Sequence, residues 1–546
     1  MSNDDEIDYK SERTKDLDAI VKSKHPKRVV VAGPGTGKSY LLQKAIEEKQ
    51  KDGKTEFLAI TFIGKLGDAL ADDLAGLAKT TTMHSFAREL VLQDRPKDWV
   101  YYPKIKDVIK EDLNIKGITE FEIGDENYEE RSNYYKAVGE ADIVYYAVKM
   151  CKEDGSKIPS RDLILIDEFQ DFNEIEDEFI TLLAKKNEIL IVGDDDQALY
   201  KFKMSDPKFI RNKHDSSNTE FESHTLRWCS RCPEAVVKSF HNVVDHYKTE
   251  LTGRINKDYL CYVPDKEKDS KLNPKINVMQ AQVGQIAMKI KKELDGMLKS
   301  QSIKSVLVIG EGRTCKSTLA TVARLMSEYG FKNVQYSNME ESTFQLKHHV
   351  IDGYKALLRQ KNEAVAWRLI SIELDDKVRT DLISKNYSDT PNFIAGLPDD
   401  FKKKHEANAK ALVGILEKTN SARKQISDST ITKLSEELVI KKKEERELFI
   451  DQLVHESKFL DRPLANLDIT VCNILGSKGL GADVVFLIGF DKHKLPAKDK
   501  VDDSEIYQML VALTRTKKRI YLVNTKGCEV SSFINAIDKD NYQVIS

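Results

Sequence analysis

The chain has 546 residues, 40% hydrophobic and 32% charged, which excludes collagenous and wholly disordered classes and predicts three or four domains at ~150 residues each. Its 86 Lys and Arg against 89 Asp and Glu leave a charge of −3, excluding a protein that coats nucleic acid by bulk charge but not one with a local basic groove. Seven scattered cysteines form no disulfide framework, no run nears the ~18 apolar residues of a membrane helix, and the acidic start is no signal peptide, so a soluble, cytoplasmic protein with no membrane partner is expected.

Apolar runs of four to six residues, punctuated by glycine or charge, suit buried parallel strands. The first is Val29–Ala32. It leads into Ala32, Gly33, Pro34, Gly35, Thr36, Gly37, Lys38 and Ser39, and then the helix-like Tyr40-Leu-Leu-Gln-Lys-Ala. Strand, glycine loop and helix make a phosphate cradle, because loop amides and the helix N-terminus face an anion. Lys38 is expected to reach the β- and γ-phosphates, and the Ser39 hydroxyl to ligate Mg²⁺. A second strand is expected at Phe57–Phe62. From Leu90 to about Arg161 the sequence turns Tyr- and Lys-rich, with Trp99-Val-Tyr-Tyr102, Asn133-Tyr-Tyr135 and Val144-Tyr-Tyr146, and reads as a small inserted domain.

The strand Leu163–Ile166 ends in Asp167 and Glu168, within Asp167-Glu-Phe-Gln-Asp171. Asp167 is placed to hold Mg²⁺ and Glu168 to orient and deprotonate an attacking water. The strand Ile189–Val192 runs into Gly193-Asp-Asp-Asp-Gln-Ala-Leu-Tyr200. There Gln197 can hydrogen-bond a γ-phosphate without competing for Mg²⁺. Phe202 could offer an aromatic face to a base. Cys229-x-x-Cys232 has no second pair at zinc spacing, so no metal site is assigned to it.

A second set of strand-like runs follows at Ile276–Met279, Val306–Ile309, Ile469–Ile474, Val484–Ile488 and Ile520–Val523, and two α/β cores are the economical reading. Gly310-Glu-Gly-Arg-Thr-Cys-Lys-Ser317 mimics the first glycine loop, but Cys315 replaces its essential glycine, so a strand-to-helix turn is expected. Residues 343–464 are helical in pattern and strongly charged, with basic runs at Phe401-Lys-Lys-Lys-His and Ile440-Lys-Lys-Lys-Glu-Glu-Arg that read as solvated helix faces.

In this order Ala32–Ser39, Asp167–Asp171 and Gly193–Tyr200 resemble the UvrD/Rep-type superfamily 1 helicases. Ile60-Thr-Phe-Ile-Gly-Lys65 and Thr82-Met-His-Ser-Phe86 resemble the family's early DNA-contacting motifs. Leu226-Arg-Trp-Cys-Ser-Arg231, Gly476-Ser-Lys-Gly-Leu480 and Val511-Ala-Leu-Thr-Arg515 resemble later ones. The resemblance covers about residues 15–345 and 465–530. It implies that Arg231 and Arg515 reach the γ-phosphate from separate segments, with ATP as substrate and Mg²⁺ as cofactor. It further implies that Phe62, His84, Tyr200, Phe202 and Lys203 line a single-strand channel, with Ser477 and Lys478 as backbone contacts. Phe202 stands where relatives have Trp, and Lys203 where they have Arg.

The fold implied is α/β, with two RecA-like P-loop cores, a small insertion in the first and a mainly helical one in the second. The expected boundaries are 1–90 and 161–270 for the first core, 91–160 for its insertion, 271–342 and 465–546 for the second core, and 343–464 for its insertion. The implied function is ATP-dependent translocation on single-stranded DNA, with 3′→5′ unwinding of tailed duplexes, in repair, recombination or defence. Compact relatives include the helicase subunits of antiphage systems such as Gabija, which act beside a partner nuclease. The alternative is a DNA-stimulated ATPase subunit that regulates such a nuclease and unwinds little. The residues by which relatives read base and sugar look absent: no Gln precedes Gln43, Ser230 stands for a Tyr that stacks on adenine, and Gly481 for a Glu near the ribose. Trp228 or Arg13 could substitute.

Overall fold

The computed structural model describes residues 8–62, 64–74, 76–201, 204–299, 301–337, 350–359, 363–385, 390–422 and 467–545. Contacts divide the chain into two compact units, each discontinuous in sequence.

Unit 1 takes Met1–Phe86, Cys151–Glu340 and Ala465–Ser546. It holds two all-parallel sheets. The first is built from β1 (Lys27–Ala32), β2 (Phe57–Thr61), β3 (Lys79–Thr82), β4 (Leu163–Ile166), β5 (Ile189–Gly193) and β6 (Glu222–Leu226), in the order β3-β2-β4-β5-β1-β6. A two-stranded ribbon, β7 (Trp228–Cys229) with β8 (Leu260–Cys261), follows it. The second sheet contains β9 (Ile276–Ala281), β10 (Ser305–Gly310), β11 (Val334–Ser337), β12 (Asp468–Asn473), β13 (Ala482–Ile488), β14 (Thr516–Thr525) and β15 (Tyr542–Ile545). Its order is β11-β12-β10-β13-β14-β9-β15. These are the two α/β cores of the RecA-like arrangement.

The inner strands are nearly continuous Val, Ile and Leu because both of their faces are covered. β4 and β5 are buried at every residue. Burying each such side chain contributes roughly 1.5–3 kcal/mol, which sets the register strongly. In an open parallel sheet ligands collect beyond the carboxyl ends of the strands. In the first sheet β1 pairs with β5 and β6, and β5 with β4, so the loops leaving Ala32, Ile166, Gly193 and Leu226 emerge side by side. Helix α1 (Tyr9–Val21) precedes β1, and α2 (Lys38–Lys51) begins at the end of the β1 loop. Helices α3 (Glu234–His246) and α4 (Asp503–Thr514) pack together in one apolar cluster that spans both cores.

Unit 2 takes Ala87–Met150 and Glu341–Leu464. Its described residues share one apolar core, including Ile105, Ile109 and Tyr128 from the first segment and Trp367 and Ile370 from the second. Fully buried Asp112 accepts from Arg368 Nε at 2.8 Å and is paired with Arg131. Burial opposes the charge on Asp112, but the two guanidinium groups hold its carboxyl below the usual range. The two segments, which the sequence presents as separate insertions, therefore join through a pair 256 residues apart. The basic run at Ile440 lies outside the described residues, and in the run at Phe401 the His405 ring is buried on Tyr354. Among the described residues no helix is long and apolar enough to cross a membrane.

Candidate nucleotide site

The loop between β1 and α2 turns through Gly35 at φ +72° and Gly37 at φ +91°, which glycine adopts without a Cβ penalty. It is packed tightly from behind. A Cβ on Gly33 would lie 2.5 Å from the Tyr259 ring, and one on Gly35 would lie 2.4 Å from Arg231 Cβ. The loop carbonyls are taken up by the protein. Tyr259 Oη donates to Pro34 O at 2.7 Å, Thr36 Oγ1 to Gly33 O at 2.8 Å, and Ser230 N–H to Gly35 O at 3.0 Å. Carbonyls anchored in this way suit a loop whose amides serve an anion. Sequence reasoning misses Tyr259, which meets Pro34 across 225 residues with no motif of its own.

β4 delivers Asp167 and Glu168. The Asp167 N–H donates to Ile60 O at 2.9 Å, while its Oδ1 is buried without a hydrogen-bond partner. Glu168 sits at φ +54°, a left-handed conformation uncommon outside glycine. Its Oε2 accepts from Gln170 Nε2 at 2.7 Å, and Gln170 Oε1 accepts from Asp194 N–H at 2.8 Å, which ties the ends of β4 and β5 together. Burial and the neighbouring Glu168 charge push the Asp167 carboxyl up. Burial acts on Glu168 too, but Lys38, Lys478, the Gln170 amide and Arg515 outweigh it and hold that carboxyl down. The pair is thus split between one group needing a cation and one held as an anion. An orphaned, buried carboxylate oxygen on the same cavity as Ser39 fits a divalent cation.

The second core closes the site. Arg515, at the end of α4, is 1% exposed, and its Nη2 donates to Gln197 Oε1 at 2.6 Å. The same guanidinium bonds Leu480 O at 3.2 Å and Val511 O at 3.1 Å. Burial, then the Arg231 charge, pushes it down to about 10. Lys478 Nζ donates to Gln197 O at 2.6 Å and pairs with Asp171. A cavity of about 540 Å³ lies between the cores, lined by Lys38, Ser39, Asp167, Glu168, Gln197 and Arg231 on one side and Arg515 and Lys517 on the other.

Asp194, Asp195 and Asp196 bring three carboxylate oxygens within 4.8 Å, the one such acidic, Cys or His group among the described residues. A protein cation already fills it. Fully buried Lys257 pairs with all three carboxylates, Arg254 holds Asp196 at 2.7 Å and Arg211 holds Asp195 at 3.0 Å. The glycine-loop mimic of the second core is likewise self-filled: Glu311 accepts from the Arg313 and Thr314 amides at 2.9 and 2.7 Å.

The residues expected along a DNA channel divide. Phe62 is half-buried, with its ring 5.1 Å from that of Tyr200 and 5.7 Å from that of Phe172. His84 is also half-buried, with Nδ1 3.7 Å from Glu176 Oε1. Tyr200 is 2% exposed, and the Lys478 ammonium lies 5.2 Å from its ring centre. Ser477 is fully buried and donates to Ile474 O at 2.6 Å. As placed here, Ser477 and Lys478 serve the protein's own hydrogen bonds rather than an open surface. Phe202 and Lys203 lie outside the described residues. On the nucleoside side, Trp228 Nε1 donates to Asp16 at 3.0 Å, while Arg13 lies over the Tyr262 ring at 4.5 Å and beside Gly37.

A family model described as an AAA domain matches residues 17–203. An ATP-dependent helicase/nuclease subunit of Acetivibrio thermocellus is 30% identical over 107 residues, 17% of this chain and 9% of that protein. Its namesake in Desulforamulus reducens is 36% identical over 101 residues, 18% of this chain and 8% of that protein. The Alkaliphilus oremlandii protein of the same name is 25% identical over 141 residues, 24% and 12%. The chain therefore matches only about a tenth of the length of these relatives. It carries an AAA-type, helicase-like P-loop ATPase domain with distant, partial similarity to helicase subunits.

Proposed function

From that ATPase domain we propose that the chain is an ATP-driven motor that moves along single-stranded DNA and unwinds tailed duplexes 3′→5′. The observation that carries the reading is the reach of Arg515 from the second core onto Gln197 of the first, at the rim of the glycine loop. A site completed by both cores makes nucleotide binding draw them together, and hydrolysis release them. The direction of travel follows from the family resemblance.

In this reading Lys38 neutralises the β- and γ-phosphates, and Glu168, kept anionic by its cationic neighbours, takes the proton of the attacking water at its carboxylate. Ser39 and Asp167 would hold Mg²⁺, which when bound offsets charge on the phosphate oxygens. Gln197 orients the water through its amide. Arg231 and Arg515 place permanent, planar cations where charge spreads over the transferring phosphoryl group. Phe62 and His84, the described channel candidates with partial exposure, would meet the strand, and Phe202 and Lys203 belong to the same proposal.

The test is ATP turnover with and without mixed-sequence single-stranded DNA. Stimulation of at least about tenfold that falls as salt rises is expected, because phosphate contacts release counterions. Equal stimulation by blunt duplex would defeat the single-strand channel. The relatives' printed name, which joins helicase and nuclease, favours one second reading, in which this ATPase serves a partner nuclease and unwinds little alone.

A further inference from the structure

Cys229-Ser-Arg-Cys232 is a motif that the ATPase reading leaves unused, and the structure puts it at the junction of that site. Both cysteines are fully buried and free. The Cys232 N–H donates to Cys229 Sγ at 3.3 Å, which places the first sulfur against the backbone of the second cysteine. Cys229 lies beneath the phosphate loop: a Cβ on Gly35 would stand 3.2 Å from its sulfur. Cys232 faces the other core, its thiol 3.7 Å from the carbonyl of Thr514, the residue before Arg515. Between them, Ser230 bonds the Gly35 carbonyl and Arg231 packs against Gly35.

We propose that Cys229 and Cys232 are a redox-active dithiol that closes to a disulfide in exchange with small disulfides of the glutathione type, and that closure slows turnover by moving Arg231. Only two residues separate the sulfurs, so drawing them to bonding distance reshapes the span that carries Arg231. The pair is also prepared for exchange. Burial opposes ionisation of Cys229, but its contact with Cys232 and the backbone amides of Cys232 and Arg231 hold its thiol below the usual range. In the exchange a protein thiolate attacks one sulfur of the small disulfide and expels a thiolate. The second protein sulfur gives its proton to that thiolate, attacks the mixed disulfide and expels the other half. Two protein thiols are oxidised and one small disulfide is reduced to two thiols. Because the second core covers Cys232, nucleotide that holds the cores together protects the pair.

The test uses the full chain with exposed Cys528→Ser, so that a surface thiol does not compete. Oxidised glutathione is added, free thiols are blocked, and linked peptides are mapped by mass spectrometry while basal ATP turnover is followed. A Cys229–Cys232 linkage is expected, with turnover down at least about fivefold and restored by a dithiol reductant. A non-hydrolysable ATP analogue with Mg²⁺ slows linkage, and Cys232→Ser keeps its turnover under oxidant. Absence of the linkage, linkage without loss of turnover, or equal inhibition of Cys232→Ser would overturn the proposal. The proposal rests on the placing of Arg231 in the ATPase site. Its readouts need no DNA, so a chain that hydrolyses ATP but ignores DNA defeats the motor reading alone.

Discussion

Lys38, Glu168 and Arg515 line one cavity, yet their loss removes different things. Lys38→Ala takes away the cation under the phosphates, so ATP binding itself should fail in a filter or fluorescence assay. Glu168→Gln keeps shape and loses the base, so nucleotide binds while turnover falls about 10²–10⁴-fold. Arg515→Ala should lower kcat about 10³-fold with affinity little changed, since such a cation acts on the transition state. Near-normal turnover in either of the last two variants contradicts the roles proposed. Base selection is the second residue-scale prediction. Arg13, beside Gly37, offers only donors, whereas separating adenine from guanine takes a partner matched to N6–H and N7. GTP should therefore stay within about tenfold of ATP in kcat/KM, roughly 1.4 kcal/mol, and dATP likewise, since Gly481 stands where the family resemblance implies a Glu near the ribose. Steady-state rates decide this, and a preference for ATP beyond about a hundredfold contradicts it. The cavity residues were legible because most stand in short runs at strand ends. Tyr259 and Lys257, which brace those runs, were not: their partners lie 225 and 62 residues away, and no local pattern marks them.

At the scale of elements, the strands read from sequence are the inner ones. All nine expected runs, from Val29–Ala32 to Ile520–Val523, are interior to the two sheets, while β3, β6, β11 and β15 are their four edges. An inner parallel strand must be apolar on both faces and so announces itself. Edges such as Lys-Thr-Thr-Thr at β3 or Glu-Ser-His-Thr-Leu at β6 carry polar residues toward solvent and hide. The acidic run Asp194, Asp195 and Asp196 after β5 yields a prediction of its own. Lys257→Met takes the shared ammonium from three buried carboxylates and leaves only Arg254 on Asp196 and Arg211 on Asp195 beside them, which should cost about 3–5 kcal/mol in unfolding free energy. Burial already raises the Asp194 carboxyl, and loss of the ammonium removes the charge that opposes that rise. A group raised on folding adds stability as pH falls, so the deficit should be larger at about pH 8 than at about pH 5.5. Urea melts at both pH values measure it, and a deficit independent of pH would assign the loss to packing instead.

At the scale of the whole molecule, the two inserted segments make one unit through Asp112 and Arg368, a pairing that local composition does not reveal. Within unit 1 an apolar cluster joins the cores through α3 and α4, and the contacts around the nucleotide cavity are polar. Arg515 with Gln197, Lys478 with Asp171 and Lys201 with Asp503 are hydrogen-bonded or ionic, which suits surfaces that part and rejoin. Phe62→Ala should accordingly weaken DNA stimulation while leaving basal turnover intact, because base stacking is worth roughly 1–3 kcal/mol per base and serves the strand alone. Unchanged stimulation in that variant would move the track elsewhere.

The most direct measurement is strand displacement by the chain alone on duplexes with a 3′ or a 5′ single-stranded tail, with Mg²⁺ and ATP, beside the Glu168→Gln variant. The motor account predicts ATP-dependent release from the 3′-tailed duplex, little from the 5′-tailed one, and none with the variant. ATP turnover stimulated by the same DNA without displacement of either strand would contradict it.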